Sequence, residues 1–331
     1  MRAVFLDFGT VSHDDLDTTT LERVLPGITL YPTSNDAEVD ERIAGAEFIL
    51  TNKLNITRAR MQAVPGLRFV GLTATGTNNV DLEAAKELGI AVCNIRDYCT
   101  VSVAQHVLGA ILLLTHRFRE YGQAAVDGTW SRSEQFTVPG PPIRELTGKV
   151  LGIVGHGTLG KAVAKAARDA LGMRVLVAEQ RGARRPAPDA TAVANAMNSP
   201  VRVTLDELLR VADVLSLHCP LTPATTGLIG ARELALMKPD AILINTARGA
   251  LIDLDALVAA LRGGDLGGAA IDVLPQEPPT SGNVLFEPGI PNLLVTPHIA
   301  WAAFEARQRA VDELALHVED FLLGRRRGRV V

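Results

Sequence analysis

One stretch of the chain, residues 150–179, constrains its fold more than any other part of the sequence. An apolar run of five residues leads from Val150 directly into the turn Gly155-His156-Gly157-Thr158-Leu159-Gly160. An alanine-rich segment with apolar side chains at helical spacing follows as far as Gly172, and a second apolar run ends on the acid Glu179. Strand, glycine turn, helix, strand and terminal acid in this order are typical of a dinucleotide-binding βαβ unit.

The three glycines of this turn meet three different steric demands. Gly155 permits the tight turn, Gly157 lets a pyrophosphate approach the backbone, and Gly160 allows the helix to pack closely on the strand. The helix N-terminus offers unpaired N–H groups and a partial positive charge to the phosphates. The alternative interpretation is a structural βα turn without a ligand.

Glu179 bears on the choice of cofactor. It lies about 20 residues beyond the turn, where a carboxylate accepts hydrogen bonds from the adenine ribose hydroxyls. Because a carboxylate repels a 2′-phosphate, we expect NAD rather than NADP. Three arginines that follow, Arg181, Arg184 and Arg185, offer an alternative phosphate site, although the prolines after them favour a solvated basic loop.

The composition restricts the remaining classes of protein. The 331 residues are 47% hydrophobic, enough for two domains with separate cores. A formal net charge of −4 gives no electrostatic basis for binding nucleic acid or an anionic membrane. Cys93, Cys99 and Cys219 lack metal-ligand spacing, and so few cysteines favour free thiols in a reducing compartment. Because no apolar run reaches transmembrane length, we expect a cytoplasmic protein, and we expect no metal ion.

The rest of the chain alternates between strand and helix patterns. Strand-like runs at 3–8, 28–31, 48–51, 69–72 and 91–94 alternate with helical patterns at 16–24, 36–44 and 82–88. After residue 179, apolar runs end at Leu217, Asn245, Asp272 and Val295, and an amphipathic helix covers 305–323. This alternation predicts an α/β protein with two doubly wound parallel sheets, the first flavodoxin-like and the second a Rossmann sheet. We also expect one long helix over 101–126 and a mobile, solvated terminus at Arg325, Arg326, Arg327 and Arg329.

Arg248, Glu277 and His298 are the candidate catalytic residues. Each follows an apolar strand or loop, and the carboxyl ends of parallel strands share one edge, where ligands bind. An imidazole titrates near neutral pH, so His298 suits protonation of the alkoxide that hydride transfer to a ketone leaves. A carboxylate at Glu277 would favour the imidazolium and fix its tautomer. Arg248 would hold a substrate carboxylate and polarise the adjacent carbonyl.

Each of these residues also has an interpretation without catalysis. A histidine after proline, such as His298, is often a loop residue, and Arg248 is equally compatible with an inter-strand salt bridge. Glu277 lies in a stiff, proline-flanked turn. Spacing alone does not bring the three side chains together.

Five ordered motifs resemble the D-isomer-specific 2-hydroxyacid dehydrogenase family over nearly the whole chain. They are the glycine turn, His218-Cys219-Pro220-Leu221-Thr222, Asn245-Thr246-Ala247-Arg248-Gly249, Asp272-Val273 with Glu277-Pro278, and Thr296-Pro297-His298-Ile299. The resemblance implies a substrate domain of residues 1–100 and 300–331, into which a NAD-binding Rossmann domain of residues 101–299 is inserted. It also implies a homodimer in which the long helix 101–126 and the following arm, residues 130–146, contact the partner subunit.

The resemblance assigns roles to individual residues. The catalytic Arg, Glu and His of the family fall on Arg248, Glu277 and His298. Binding of the substrate carboxylate falls on the backbone N–H groups of Thr75 and Gly76, an exposed turn able to act as an anion nest. The remaining assignments concern NAD: the ribose acid Glu179, the nicotinamide acid Asp272, the pyrophosphate contacts Thr158 and Leu159, and the strand-end contacts Cys219, Pro220, Thr246 and Ala247.

Departures from the family pattern leave the substrate open. Gln105 stands where many members have Glu, and the turn at Thr75 lacks an aromatic residue found in many relatives. Trp301 and Thr51-Asn52-Lys53 resemble the glycerate dehydrogenase and hydroxypyruvate reductase branch, where Trp301 would narrow the pocket or make a core or dimer contact. We expect reduction of hydroxypyruvate to D-glycerate, or of glyoxylate to glycolate. The alternatives are D-3-phosphoglycerate dehydrogenase and a non-enzymatic NAD-sensing scaffold similar to the C-terminal-binding-protein corepressors.

Overall fold

The computed structural model describes residues 1–179 and 200–331, and the chain forms two compact units. Unit 1 comprises Met1–Ser102 and Trp301–Val331, and unit 2 comprises Val103–Ala300. The sequence of unit 1 is therefore interrupted by the whole of unit 2.

The helices and strands alternate along the described residues. The strands are β1 (Ala3–Phe5), β2 (Thr29–Leu30), β3 (Phe48–Thr51), β4 (Phe69–Leu72), β5 (Ala91–Asn94), β6 (Val150–Val154), β7 (Arg174–Ala178), β8 (Val201–Val203), β9 (Val214–Leu217), β10 (Ile242–Asn245), β11 (Gly268–Ile271) and β12 (Leu293–Val295). The helices are α1 (Thr19–Val24), α2 (Asp36–Ile43), α3 (Arg58–Gln62), α4 (Leu82–Glu87), α5 (Thr100–Thr115), α6 (Phe118–Val126), α7 (Thr158–Leu171), α8 (Leu205–Val211), α9 (Ala231–Leu236), α10 (Leu254–Gly263) and α11 (Phe304–Leu322).

Unit 1 is built on a parallel sheet with strand order β2-β1-β3-β4-β5. This is the flavodoxin-like order, so the fold-class prediction for the first sheet is confirmed. All residues of β3, β4 and β5 are buried, because helices cover both faces of the sheet. On one face Phe5, Phe48 and Phe69 pack with Leu314 and Val318 of α11, and on the other Ile49, Val70 and Val92 pack with Val39 and Ile43 of α2.

The arginine-rich segment 325–331 belongs to the fold of unit 1. The four arginine side chains are exposed, as expected for a solvated terminus, but the backbone of this segment is paired with β5 and is not a free end. The Val330 N–H donates to the Val92 carbonyl at 2.7 Å, and the Gly328 carbonyl accepts from the Asn94 N–H at 3.2 Å. Arg325 and Arg327 both pair with Asp320 in α11. Because β5 is an edge strand of the sheet, its outer N–H and C=O groups have no neighbouring strand, and residues 328–331 form hydrogen bonds to them. Composition alone does not reveal such pairing.

Unit 2 contains a larger parallel sheet with strand order β12-β11-β10-β9-β6-β7-β8. The order contains the Rossmann pattern extended by one strand, which confirms the second part of the fold-class prediction. The strand order reverses between β6 and β9, and ligands of such sheets bind at the carboxyl edge near this point. Helix α7 begins at the glycine turn and ends at Gly172, whose φ of +62° closes it.

The helical pattern over 101–126 forms two helices instead of the single long helix that we expected. Helices α5 and α6 meet at an angle of 60°. Arg117, between them, has a φ of +55°, a left-handed conformation that ends α5, and its guanidinium pairs with Glu120 in the first turn of α6. Among the described residues no single helix has both the length and the apolar composition to cross a membrane; only this bent pair, taken together, reaches those limits.

Candidate active site

The glycine turn after β6 has two glycines that packing requires and one that faces open space. A Cβ on Gly155, whose φ is +95°, would lie 2.5 Å from the Cys219 nitrogen, and a Cβ on Gly160 would lie 2.0 Å from the Gly155 oxygen. A Cβ on Gly157 would have no neighbour within 4 Å. No side chain caps the N-terminus of α7, so the N–H groups of Thr158 and Leu159 remain available to an anion. These features fit a dinucleotide pyrophosphate.

Predicted cofactor residues line the carboxyl edge of the same sheet. Glu179 directly follows β7, and its N–H donates to the Val203 carbonyl at 2.8 Å. Cys219 follows β9, is half-buried, and burial raises the pKa of its thiol. Exposed Pro220 comes next. Thr246 follows β10, and its buried hydroxyl has no hydrogen-bond partner among the described residues. Arg181, Arg184 and Arg185 lie outside the described part of the chain.

His298 and Glu277 form a hydrogen-bonded pair. The Nδ1 atom of His298 lies 2.6 Å from Oε2 of Glu277, and each side chain is about one third exposed, at 32% and 34%. The other carboxylate oxygen of Glu277 accepts from the Leu274 N–H at 2.7 Å. Because a carboxylate only accepts, Nδ1 carries the proton, and Nε2 is the nitrogen left to exchange a proton with a ligand.

Asp272 holds the loop that carries His298. It is 2% exposed, and its carboxylate accepts from the N–H groups of Ile299 and Ala300, each at 2.9 Å, and from the Thr296 hydroxyl at 2.6 Å. The His298 N–H donates to the Asp272 carbonyl at 2.8 Å. His298 has a φ of +55°, a conformation that such surrounding bonds stabilise. The expected contact of Asp272 with nicotinamide stays a prediction.

The turn that carries Arg248 touches the loop that carries Glu277. Arg248 is exposed, and its guanidinium donates to the Ala247 carbonyl at 2.7 Å. A Cβ on Gly249 would lie 2.1 Å from the carbonyl carbon of Leu274, so only glycine permits this approach. Asn245 donates from its side chain to the Arg248 carbonyl at 2.9 Å. Sequence reasoning did not single out Asn245 or Gly249; their signal is an amide at the strand end and a glycine directly after the arginine.

His218, beside the predicted contact Cys219, is a structural residue in this unit. Its Nε2 atom lies 2.9 Å from the Ser216 hydroxyl, and its N–H donates to the Val154 carbonyl at 2.7 Å. Burial lowers the pKa of His218 to about 4, so the imidazole is neutral at neutral pH. His218 therefore ties the end of β9 to the end of β6, on which the glycine turn rests.

The predicted carboxylate site of unit 1 lies at the carboxyl end of β4. Thr75 is exposed, and the backbone N–H groups of residues 74–77 donate no hydrogen bond within the described chain. Four successive N–H groups are therefore available to bind an anion. Trp301, in the same unit, is half-buried and packs edge-on against Tyr98, with ring centroids 6.3 Å apart.

Comparison with known proteins gives one consistent result. A family model described as D-isomer specific 2-hydroxyacid dehydrogenase, NAD binding domain, matches residues 108–300. The glycerate dehydrogenase of Methylorubrum extorquens is 41% identical over 98% of this chain and 97% of its own length. The hydroxypyruvate reductase of Blautia hydrogenotrophica is 38% identical, with 98% of each chain covered. A crystal structure of a Thermus thermophilus protein superimposes with a TM-score of 0.83 at 35% identity, over 100% of both chains.

Proposed function

Because the chain belongs to the D-isomer-specific 2-hydroxyacid dehydrogenase family, we propose that it is an NAD-dependent enzyme that reduces hydroxypyruvate to D-glycerate, with glyoxylate as a second substrate. The observation that carries the chemical part is the His298–Glu277 pair at 2.6 Å, which follows β12 and β11 at the ligand-binding edge. The names of two relatives, glycerate dehydrogenase and hydroxypyruvate reductase, support the choice of substrate.

The proposed roles around the cofactor follow the carboxyl edge of the sheet of unit 2. Bound NADH supplies the hydride, and NAD⁺ accepts it in the reverse direction. The glycine turn and the start of α7 hold the pyrophosphate, and Glu179 accepts from the adenine ribose. The other contacts we propose are Cys219, Pro220, Thr246, Ala247 and Asp272.

The proposed chemistry of the substrate depends on three side chains. His298, as imidazolium, gives the proton of Nε2 to the oxygen that becomes the hydroxyl, and takes it back in the oxidation direction. The Glu277 carboxylate stabilises the imidazolium and holds the ring by Nδ1. The Arg248 guanidinium binds the substrate carboxylate and polarises the neighbouring carbonyl.

Residues 1–100 and 300–331 are proposed to form the substrate domain, and residues 101–299 the NAD-binding domain. Units 1 and 2, whose boundaries lie within two residues of these, support the proposal. The unpaired N–H groups of Thr75 and Gly76 support binding of the substrate carboxylate there. We propose that the indole of Trp301, held by Tyr98, limits the size of the substrate.

Turnover of a ketoacid panel tests this function directly. The purified protein is mixed with NADH or NADPH and with hydroxypyruvate, glyoxylate, pyruvate or 3-phosphohydroxypyruvate, and loss of reduced-cofactor absorbance is recorded. We expect the largest kcat/KM for hydroxypyruvate with NADH. Absence of turnover with every ketoacid would contradict the proposal, and a preference for 3-phosphohydroxypyruvate would change the assigned substrate.

Replacement of His298 tests the proton donor. We expect His298→Ala to lose about 100-fold or more in ketoacid reduction, because no other group then delivers the proton, while the Kd for NADH stays within about twofold. Stopped-flow reduction and fluorescence titration with NADH measure the two quantities. Near-wild-type turnover would remove His298 from this role.

A homodimer and a cytoplasmic location complete the proposal. The support for a dimer is a group of apolar side chains, all more than half exposed, on α6 and the arm after it: Phe118, Val126, Trp130 and Phe136. Light scattering after gel filtration is expected to give the mass of two chains, and a monomer mass at micromolar concentration would contradict the dimer.

A further inference from the structure

Asn94 makes a hydrogen bond to the turn that follows β4, the strand next to β5. It is the last residue of β5, is 4% exposed, and donates from Nδ2 to the Thr75 carbonyl at 2.6 Å. The next residue, Ile95, donates its backbone N–H to the Ala74 carbonyl at 3.3 Å. The carbonyl groups of Ala74 and Thr75 therefore accept hydrogen bonds from Ile95 and Asn94, at the end of β5.

The orientation of the Asn94 amide is determined by its partner. The Thr75 carbonyl can only accept, so Nδ2 must face it and Oδ1 must point elsewhere. That oxygen is buried and has no hydrogen-bond partner among the described residues. A buried, unpaired acceptor costs stability, and an apolar side chain of similar shape, such as leucine, avoids the cost. Stability alone therefore does not explain an asparagine here, whereas its bond to Thr75 does.

The bond to a carbonyl also sets the direction of the next N–H group. A peptide unit is planar and trans, so the C=O of one residue and the N–H of the next point in opposite directions. Holding the Thr75 oxygen against the buried Asn94 side chain turns the Gly76 N–H away from it. By the same geometry, the Ile95 bond to the Ala74 oxygen directs the Thr75 N–H. Both N–H groups donate to no acceptor within the described residues.

We propose that Asn94 is a positioning residue, which directs the Gly76 N–H toward the carboxylate of the 2-ketoacid substrate. The inference rests on the proposed function, because it deepens the role given there to Thr75 and Gly76. Asn94 itself does not touch the substrate. The backbone N–H of Asn94 donates to the Gly328 carbonyl at 3.2 Å, on the side of β5 away from β4. This bond fixes the backbone of Asn94 independently of the turn that its side chain contacts.

The variants Asn94→Leu and Asn94→Asp test the role. In Asn94→Leu we expect KM for hydroxypyruvate to rise about tenfold, with kcat within about twofold and the Kd for NADH unchanged. The melting temperature is expected to change little, because loss of the bond to the Thr75 carbonyl is offset by removal of the unpaired buried oxygen. Asn94→Asp places a second acceptor against the Thr75 carbonyl, so we expect a larger rise in KM. A purely structural role predicts instead that melting temperature, kcat and NADH affinity fall together.

Thr73→Val is the matched control. Thr73 is fully buried at the end of β4, and its hydroxyl, like Oδ1 of Asn94, has no partner among the described residues. Replacing it by an isosteric apolar residue perturbs the same strand end without changing the bond to Thr75. We expect its KM to stay within about twofold of wild type. A rise equal to that of Asn94→Leu would overturn the specific role of Asn94.

Calorimetric titration with oxalate separates this inference from the proposed function. Oxalate is a small carboxylate that cannot be reduced by hydride transfer, and it is titrated into the NADH complexes of wild type and Asn94→Leu. Weaker binding to Asn94→Leu supports the inference even if wild type turns over no ketoacid, a result that would reject the function alone. If both proteins turn over ketoacid normally, with equal KM and equal oxalate affinity, the inference is overturned and the proposed function is retained. The same conclusion holds if oxalate binding is undetectable and KM is unchanged.

Discussion

Two carboxylates near the proposed catalytic histidine have the same chemistry and different surroundings. Asp272 is 2% exposed and its oxygens accept from donors in the loop after β12, whereas the Glu277 side chain is 34% exposed and holds the imidazole of His298. The buried carboxylate fixes where the loop lies, and the more exposed one accepts a hydrogen bond from the ring of His298. Burial and hydrogen-bond partners, and not residue type, therefore distinguish the carboxylate that positions the loop from the one that we propose assists proton transfer.

Neutralising Glu277 is expected to slow catalysis without unfolding the loop. In Glu277→Gln the amide oxygen can still accept from Leu274, but the imidazolium of His298 loses its counter-charge. We expect kcat for ketoacid reduction to fall about 100-fold, and kcat for hydroxyacid oxidation to fall less, because oxidation begins with neutral imidazole. Steady-state rates in both directions measure this.

Gln276→Ala is the control for the Glu277 variant. It removes a hydrogen bond to Thr280 in the same loop and leaves the His298–Glu277 pair in place. Turnover within about twofold of wild type is expected. A Glu277→Gln enzyme as active as this control would show that the counter-charge is unimportant.

At this scale the sequence contained part of the candidate site. Arg248, Glu277 and His298 were recognisable because each comes shortly after an apolar run and matches a family motif. The approach of Gly249 to Leu274 and the left-handed conformation of His298 were not, since both arise from contacts between residues far apart in the chain. The role of Asn94 was not predicted for the same reason, because its bond to Thr75 joins residues far apart in the chain. In the sequence it is a polar residue at the end of a predicted strand.

At the scale of elements, the turn between β6 and α7 contains two glycines that packing requires and one, Gly157, that we propose leaves room for a ligand. A Cβ on Gly160 would press on the Gly155 backbone oxygen, which is part of the turn itself, whereas a Cβ on Gly157 would enter open space. The two positions lie in the same short turn and have opposite expected phenotypes.

Alanine substitutions at these two glycines test the division. Gly160→Ala is expected to destabilise unit 2 by about 1–3 kcal/mol, because the clash is with backbone. Gly157→Ala is expected to keep the wild-type melting temperature and to raise the Kd for NADH about tenfold or more, because the methyl group occupies the approach of the pyrophosphate. Thermal unfolding and fluorescence titration measure both. Wild-type NADH affinity in Gly157→Ala would place the pyrophosphate elsewhere.

Sequence patterns predicted the regular elements and failed at their interruptions. Helix α2, predicted at 36–44, spans Asp36–Ile43, and the structure adds that Asn35 and Glu38 form a capping box at its start. The apolar periodicity continues through residues 116 and 117, so it cannot reveal that the backbone reverses hand at Arg117. The short elements α3, β8 and α9, of five, three and six residues, were not predicted.

At the scale of the whole molecule, each unit contains a histidine whose pKa is lowered by burial of its imidazole ring. His218 lies in unit 2, and His317 lies in α11 of unit 1, where it is 2% exposed and 3.1 Å from Glu313. Burial lowers the pKa of both imidazoles. A group whose folded pKa is depressed stabilises the fold above its unfolded pKa, and this contribution is lost as the pH falls below that value.

Acidification is therefore expected to weaken both units below about pH 6.5, by up to about 1.4 kcal/mol per pH unit for each histidine that must take up a proton on unfolding. His317→Gln is expected to reduce the loss of stability between about pH 7 and pH 5, because glutamine has no proton to take up. The exposed His13 supplies the control variant His13→Gln, which should retain the wild-type slope. Urea unfolding across this pH range gives the slopes, and identical slopes for all three proteins would contradict the assignment.

The division of unit 1 between two distant parts of the sequence has a consequence for biosynthesis. The aromatic rings of Phe48 and Phe69 pack against Phe321, which the ribosome adds only after all of unit 2 has been translated. At typical elongation speeds, the intervening stretch of about 200 residues delays their cover by roughly 10–40 s. During that interval the apolar sheet face that includes Phe48 and Phe69 lacks the cover of Phe321, whereas the residues of unit 2 are contiguous and can fold as soon as they are synthesised.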